Sequence, residues 1–162
     1  MLNIRTFIPS DAKAVHHLFT QGQLDFAQGT NLEEPVKAYI NRSLSDDLSD
    51  IPSHYQNRPE NNFWVADLSG QLKGMVGIQK RSDEEAELRR MSVSGDARRQ
   101  GIGWKLLETV EEFCQEQGYS QIFLTTVSQL VPAITMYQKY GFELTGLEKY
   151  GVMSVHRYLK KL

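Results

Sequence analysis

Apolar positions along the chain recur with two periods, and the switches between them mark out the elements. Residues 3–8 (Asn-Ile-Arg-Thr-Phe-Ile) alternate weakly and predict a short strand. Ser10 or Asp11 can cap the helix that follows, because their side-chain oxygens accept from its first free N–H groups. Ala14, Val15, Leu18 and Phe19 then repeat at helical spacing over 11–20. Val36, Tyr39, Ile40 and Leu44 predict a second helix. The stretch from Ser45 to Glu60 is rich in Ser, Asp, Asn and Pro and reads as a long loop. From Asn62 the period shortens. Phe63–Ala66, Leu72–Gln79 and Glu87–Val93 read as three strands of an antiparallel meander, with Ser69-Gly70 and the charged run Arg81–Glu85 as turns.

The strongest helical stripe lies in 103–117. Leu106, Leu107, Val110, Phe113 and Cys114 share one face, and Lys105, Glu108, Glu111, Glu112 and Gln115 take the other. Gly118 stands where a helix terminator is expected. Residues 122–127 read as a buried strand, Pro132 opens a helix that runs to Gly141, and 142–147 and 152–159 close the chain as strands. The order is β-α-α-β-β-β-α-β-α-β-β. The helix of 103–117 joins two strands as a crossover would, so the expected fold is α/β (α+β). It is a mixed, mostly antiparallel sheet of about seven strands with a parallel pair in the middle and helices on both faces. No linker or repeat divides the 162 residues, so one domain, 1–162, is expected.

Composition narrows the function. Hydrophobic residues make up 40% and charged residues 23%, which is globular usage. A net charge of −2 argues against nucleic acid as a partner. The single cysteine excludes an intramolecular disulfide framework. No apolar run approaches the ~18 residues that span a bilayer, and Met1–Phe7 has no apolar signal core. The expectation is a cytoplasmic protein with no membrane partner.

The informative stretch is Val93–Trp104, Val-Ser-Gly-Asp-Ala-Arg-Arg-Gln-Gly-Ile-Gly-Trp. A strand ends, a short loop with glycines follows, and the strongest helix begins. A helix start leaves its leading N–H groups unpaired and carries partial positive charge. Glycines let a ligand approach the backbone, and Arg98 and Arg99 add charge, so the stretch can cradle phosphate. The Walker pattern is absent. The dinucleotide fingerprint is incomplete, because its third glycine position holds Leu106. On the glycines alone, a cradle and a plain tight turn with solvated arginines both stay open.

Arg98-x-x-Gly101-x-Gly103 on this strand-loop-helix resembles the Arg/Gln-x-x-Gly-x-Gly/Ala motif of the GNAT superfamily of acyl-CoA-dependent N-acyltransferases. Leu88–Val93 looks like the strand before that motif, and Gln117-Gly118-Tyr119 like the segment after it. Ala133–Phe142 is similar to the family's late helix, which ends in Tyr-x-x-x-Gly-Phe. Residues 3–20 resemble its opening strand and helix. Within the superfamily, 87–146 looks most like the camello-like branch, without a counterpart of that branch's membrane-embedded segment. Two departures stand out. Leu130 takes the place of an Asn that contributes cofactor contacts in members that have it, and Gly95 and Ala97 replace the usual Pro and aromatic or His.

The resemblance implies acetyl-CoA as cosubstrate, no metal, and transfer of its acetyl group to a primary amine of a small molecule or peptide. It implies that the backbone N–H groups of Arg98, Arg99, Gln100, Gly101, Ile102, Gly103 and Trp104 hold the pyrophosphate. The strand end Met91, Ser92 and Val93 would pair with the pantetheine arm, and the Val93 N–H would stabilise the oxyanion formed when an amine attacks. Tyr137 is the candidate general acid for the thiolate, since a phenol is protonated at neutral pH. Glu87 is the candidate base, acting through water, with His156 as an outside candidate. Cys114 lies on an apolar stripe and reads as a small hydrophobe. His16 and His17 are adjacent and cannot pair as i, i+4 metal ligands. A non-catalytic acyl-CoA-binding module with the same fold is the alternative function, and a homodimer is an assembly common in the family. In the family the acceptor is set largely by the segment corresponding to residues 20–60 and by the final strands. There the acids Glu33, Glu34, Asp46, Asp47, Asp50 and Glu60 outnumber Lys37, Arg42 and Arg58. That surplus points weakly to a cationic acceptor, against the plainer reading of a solvated loop.

Overall fold

The computed structural model describes residues 1–162. Seven strands form one sheet: β1 (Leu2–Thr6), β2 (Asn62–Leu68), β3 (Gln71–Lys80), β4 (Glu85–Val93), β5 (Gln121–Val127), β6 (Glu143–Tyr150) and β7 (Met153–Lys161). Their spatial order is β1-β2-β3-β4-β5-β7-β6. All neighbours are antiparallel except β4 and β5. The helices are α1 (Ala12–Ala27), α2 (Glu33–Ser45), α3 (Ile51–Tyr55), α4 (Ile102–Gln117) and α5 (Val131–Tyr140). The expected mixed sheet with a central parallel pair is therefore present, and α4 is its crossover.

The period-2 alternation of the strands sorts the apolar residues into two cores. Trp64, Ala66, Val76 and Ile78 face the stripe of α4, where Leu106, Leu107, Val110 and Cys114 are buried. Phe63, Val65 and Met75 face the other way, against Val15, Leu18 and Phe19 of α1 and Val36 and Ile40 of α2. Each fully buried aliphatic side chain contributes roughly 1.5–3 kcal/mol. Both layers depend on the same strands.

Two readings change. Ser45–Glu60 is not an irregular loop. A 3-10 turn at Asp47–Ser49 and α3 lie within it, and Leu48, Ile51 and Tyr55 are buried in the second core. Those three apolar residues fall at i, i+3 and i+7, a helical spacing, but over so short and polar a stretch that the Ser, Asp, Asn and Pro background outweighs it. Asp11 does not cap α1. Its carboxylate accepts the Ile8 N–H at 3.0 Å and pairs with Arg5 at 2.8 Å, which ties the end of β1 to the helix entry. Burial pushes the Asp11 carboxyl up, but those two bonds outweigh it and hold the group below the usual carboxylate range.

Two features of β4 shape the centre of the molecule. First, β4 and β5 pair only over Glu85–Glu87 with Gln121–Phe123. Beyond Glu87 the strands diverge, β4 staying with β3 and β5 with β7. Second, the β3–β4 register slips between Met75 and Gly77, where Arg90 takes φ 58°. That is a β-bulge with one extra residue on β4.

Candidate active site

The site is built where β4 ends and α4 begins. The loop between them carries two residues in the left-handed region, Arg99 at φ 69° and Gly101 at φ 76°. Alternation of that kind turns successive N–H groups toward one concave side. None of the main-chain N–H groups from Arg98 to Trp104 donates to a protein acceptor; the first bond of the helix is Lys105 N–H to Gly101 C=O at 3.0 Å. A run of free donors at the positive end of a helix fits an anion such as phosphate. Arg98, Arg99, Gln100, Gly101 and Trp104 are exposed there, while Ile102 and Gly103 are buried. Arg98 also reaches Asp25 of α1 at 3.6 Å.

The two glycines have different reasons. A Cβ at Gly101 would meet open space, but the positive φ favours glycine. A Cβ at Gly103 would stand 2.6 Å from Met136 Sδ and 3.6 Å from Val93 Cγ2. Gly103 therefore lets α5 close onto the first turn of α4 beside the end of β4. The tip of Met136 is flexible, so this contact adds to the free N–H of Gly103 and does not replace it.

The divergence of β4 and β5 leaves a slot with main-chain groups along its β4 edge. Ser94 N–H donates to Lys73 C=O of β3 at 2.8 Å. Successive N–H groups of a strand point to opposite edges. The Val93 N–H therefore points away from β3, into the slot. Met91 and Val93 direct their side chains to the α4 core, and Ser92 is buried against Gly22 of α1.

Tyr137 lies on α5, next to Met136, at 4% exposure. Its ring packs edge-on against Phe142, with centroids 5.8 Å apart. The hydroxyl has no protein hydrogen bond, yet it is not sealed from solvent. Burial pushes its pKa above the usual phenol value, so it stays protonated through the neutral range. Glu87 sits at the apex of the divergence, on the opposite face of the sheet from the Tyr137 core. Its Oε1 accepts from Arg81 Nε at 2.7 Å. Beside it, Arg157 lies over the Phe123 ring at 4.4 Å and pairs with Glu85 at 3.1 Å. His156 turns to the hydroxyl of buried Tyr158 at 3.3 Å, away from Glu87. Met136, next to Tyr137 on α5, thus meets Gly103 and Val93 at the entry to α4, and Glu87 lies where the β4–β5 pairing ends, on the other face.

Cys114 is buried, and burial raises its thiol to about 12, in keeping with an inert hydrophobe. His16 bonds the Leu48 carbonyl at 2.5 Å, a structural contact.

The sequence reading missed a buried polar network on the α1–α3 side. Arg90 bonds Asp47 at 2.6 and 3.0 Å, Tyr39 Oη at 2.7 Å and Ser43 Oγ at 3.0 Å. Tyr55 Oη donates to Asp47 at 2.5 Å. Burial pushes the Asp47 carboxyl up, but the bonds from Arg90 and Tyr55 prevail and hold it below the usual range. Within the acidic surplus of residues 20–60, Asp47 is the exception to a solvated run: Glu34, Asp46 and Asp50 are exposed. Asp47 is 1% exposed and paired, Glu33 pairs with Lys37 at 3.0 Å, and Asp50 caps α3 through Ser53. The only sequence sign of the network is the apolar trio Leu48, Ile51 and Tyr55 around Asp47.

The sequence model of the acetyltransferase (GNAT) family matches residues 29–142. The chain is 36% identical over 118 residues to N-acetyltransferase 8 of Rattus norvegicus, covering 70% of this chain and 53% of that protein. It is 37% identical over 131 residues to probable N-acetyltransferase family 8 member 5 of Mus musculus, covering 78% and 56%. The chain thus spans about half the length of these curated relatives. The fold matches the PaiA N-acetyltransferase of Thermoplasma acidophilum, solved in complex with coenzyme A, with TM-score 0.83 and 21% identity over 100% of this chain and 99% of that one. It also matches a GNAT-family acetyltransferase from Staphylococcus aureus Mu50, with TM-score 0.80 and 23% identity over 100% and 99%. No helix is long and apolar enough to cross a membrane. The chain belongs to the acetyltransferase (GNAT) family.

Proposed function

We propose that the chain is one catalytic domain that transfers the acetyl group of acetyl-CoA to a primary amine by direct attack on the thioester. The observation that carries the reading is the continuity of two donor sets. Free N–H groups from Arg98 to Trp104 run up to a slot into which the Val93 N–H points. When bound, the cosubstrate supplies an activated acyl group and a thiolate leaving group. The N–H groups of Arg98–Trp104 bind its diphosphate, with Arg98 and Arg99 adding charge. The open β4 edge at Met91, Ser92 and Val93 binds the extended arm as an added strand. The Val93 N–H holds the thioester oxygen and favours the negative charge that develops there; one such donor contributes about 10²–10³ in rate. Tyr137 gives its proton to the departing sulfur. Glu87, at the apex of the slot, takes a proton from the attacking amine through water.

The reading is tested by mixing the chain with acetyl-CoA and a panel of primary amines. Amine-dependent thiol release, matched by acetylated amine in the mass spectrum, is expected. Binding of acetyl-CoA with no release for any amine would favour the non-catalytic module instead. The bond between Glu87 and Arg81 is the observation on that side, since it occupies one carboxylate oxygen of the candidate base.

A further inference from the structure

We propose that Arg90, held by Asp47, is a positioning residue for acyl transfer: it fixes the β4 bulge and thereby the direction of the Val93 N–H. The inference rests on the acetyltransferase reading above.

The register carries the argument. Arg89 lies opposite Gly77, and Val93 lies opposite Gly74. A regular ladder continued from Arg89 would set Val93 opposite Lys73. Its N–H would then be spent on the Lys73 carbonyl, the acceptor that Ser94 N–H uses at 2.8 Å. One extra residue reverses the parity of everything that follows it. The bulge is therefore what turns the Val93 N–H into the slot.

A bulge needs a reason to stay where it is. The φ of 58° at Arg90 is offset by the contacts of its side chain. That side chain is 5% exposed and makes a bidentate pair with Asp47, which is 1% exposed. Tyr39 Oη and Ser43 Oγ take two further bonds, and the guanidinium lies 5.2 Å from the Phe19 ring centroid and 5.6 Å from that of Tyr39. Tyr55 anchors Asp47 from behind. Every partner belongs to α1–α3 or the turn between α2 and α3, none to the sheet's own neighbours β3 or β5. The helical layer thus pins the bulge from outside. A planar fork with fixed donor directions suits that task better than a point charge would.

Two variants, Arg90→Lys and Asp47→Asn, test the clamp by two readouts, with Arg89→Lys as the neighbouring-charge control. Arg90→Lys keeps the charge and the backbone demand and loses only the fork. The first readout is amide exchange. Ser94 N–H is expected to exchange about tenfold faster or more, relative to Leu106 in the other core. The second is kinetic, with the best amine of the panel. A displaced donor should lower kcat by up to about 10²-fold, while KM for acetyl-CoA, set by the distant cradle, stays within about threefold. Arg89 also lies 3.9 Å from Asp47 but gives its hydrogen bond to Gln79 Oε1 at 3.0 Å, so Arg89→Lys, which keeps that charge, should leave both readouts within about threefold. Unchanged Ser94 exchange in Arg90→Lys overturns the proposal, as does unchanged kcat. Equal acceleration of Ser94 and Leu106 in both variants also overturns it, because the network would then be generally structural. If the parent chain acetylates no amine, the acetyltransferase reading fails on its own arm, and Ser94 exchange still decides whether Arg90 holds the bulge.

Discussion

The two faces of the sheet solve different problems with different chemistry. On the α4–α5 face, the cradle is made of main chain. Its donors are the N–H groups of a loop and a helix start, and its side chains are mostly apolar packing around Gly103, Met136 and Tyr137. On the α1–α3 face, order comes from side chains. Asp47, Arg90, Tyr55, Tyr39 and Ser43 join through bonds that span up to 51 residues of sequence. A binding site made of backbone tolerates many side chains, provided the turn keeps its φ values. A network of buried charges tolerates few, because each loss orphans a partner. The difference predicts opposite responses to mutation.

The largest effect is expected at Tyr137. Tyr137→Phe removes only the hydroxyl, so the packing on Phe142 survives. kcat should fall by about 10²–10⁴-fold, with CoA affinity and melting temperature near those of the parent. An unchanged kcat would assign the proton to water or another group.

Asp47→Ala should behave in the reverse way. It strands the Arg90 charge in the core, and about 3–5 kcal/mol of stability should go, read by urea unfolding. A cost like that of a surface substitution would dissolve the contrast between the faces. The same pair sets an acid limb. The Asp47 carboxyl is held below its unfolded value, so its contribution is fully present above the unfolded pKa, near 4. It is lost as pH falls through the lower folded value. Unfolding free energy should therefore drop below about pH 4, with a slope of up to about 1.4 kcal/mol per pH unit for each such group. Asp47→Asn should make that limb shallower, with Asp11 and the more exposed Glu33, Asp50 and Asp96, all held low, supplying what remains.

Glu87 is the smallest and sharpest case. If it is the base, Glu87→Gln should alter the rising limb of kcat/KM against pH. An identical profile would leave the proton to solvent and confine Glu87 to its bond with Arg81.

The same contrast explains what could be read from residues alone. The order of elements along the chain, α4, the crossover and the strand-loop-helix at 93–104 were legible because their signals are local: a period, a stripe, glycines at a helix start. Gly101 and Gly103 stand out in the sequence, but the close approach of Met136 to Gly103 is a tertiary fact. The bulge at Arg90 left no sign, since Leu88–Val93 reads as an ordinary strand. Asp47 looked solvated because its partner lies 43 residues away.

Calorimetric titration with CoA asks whether α4's entry and the β4 slot together hold acetyl-CoA. The comparison is between Gly101→Asn and Gly101→Asp. Both place a side chain at φ 76°, and both should lose a similar stability, roughly 1–2 kcal/mol or less, since Asn and Asp tolerate that region best. Only Asp adds a charge beside the phosphates. At 4 Å and an effective dielectric near 20, two unit charges repel by about 4 kcal/mol, or several hundred-fold in affinity. The parent should bind CoA, Gly101→Asn should bind more weakly, and Gly101→Asp, equally folded, should bind far more weakly still. A parent chain that does not bind CoA, or an Asp variant that binds as well as the Asn variant, would contradict a CoA site there.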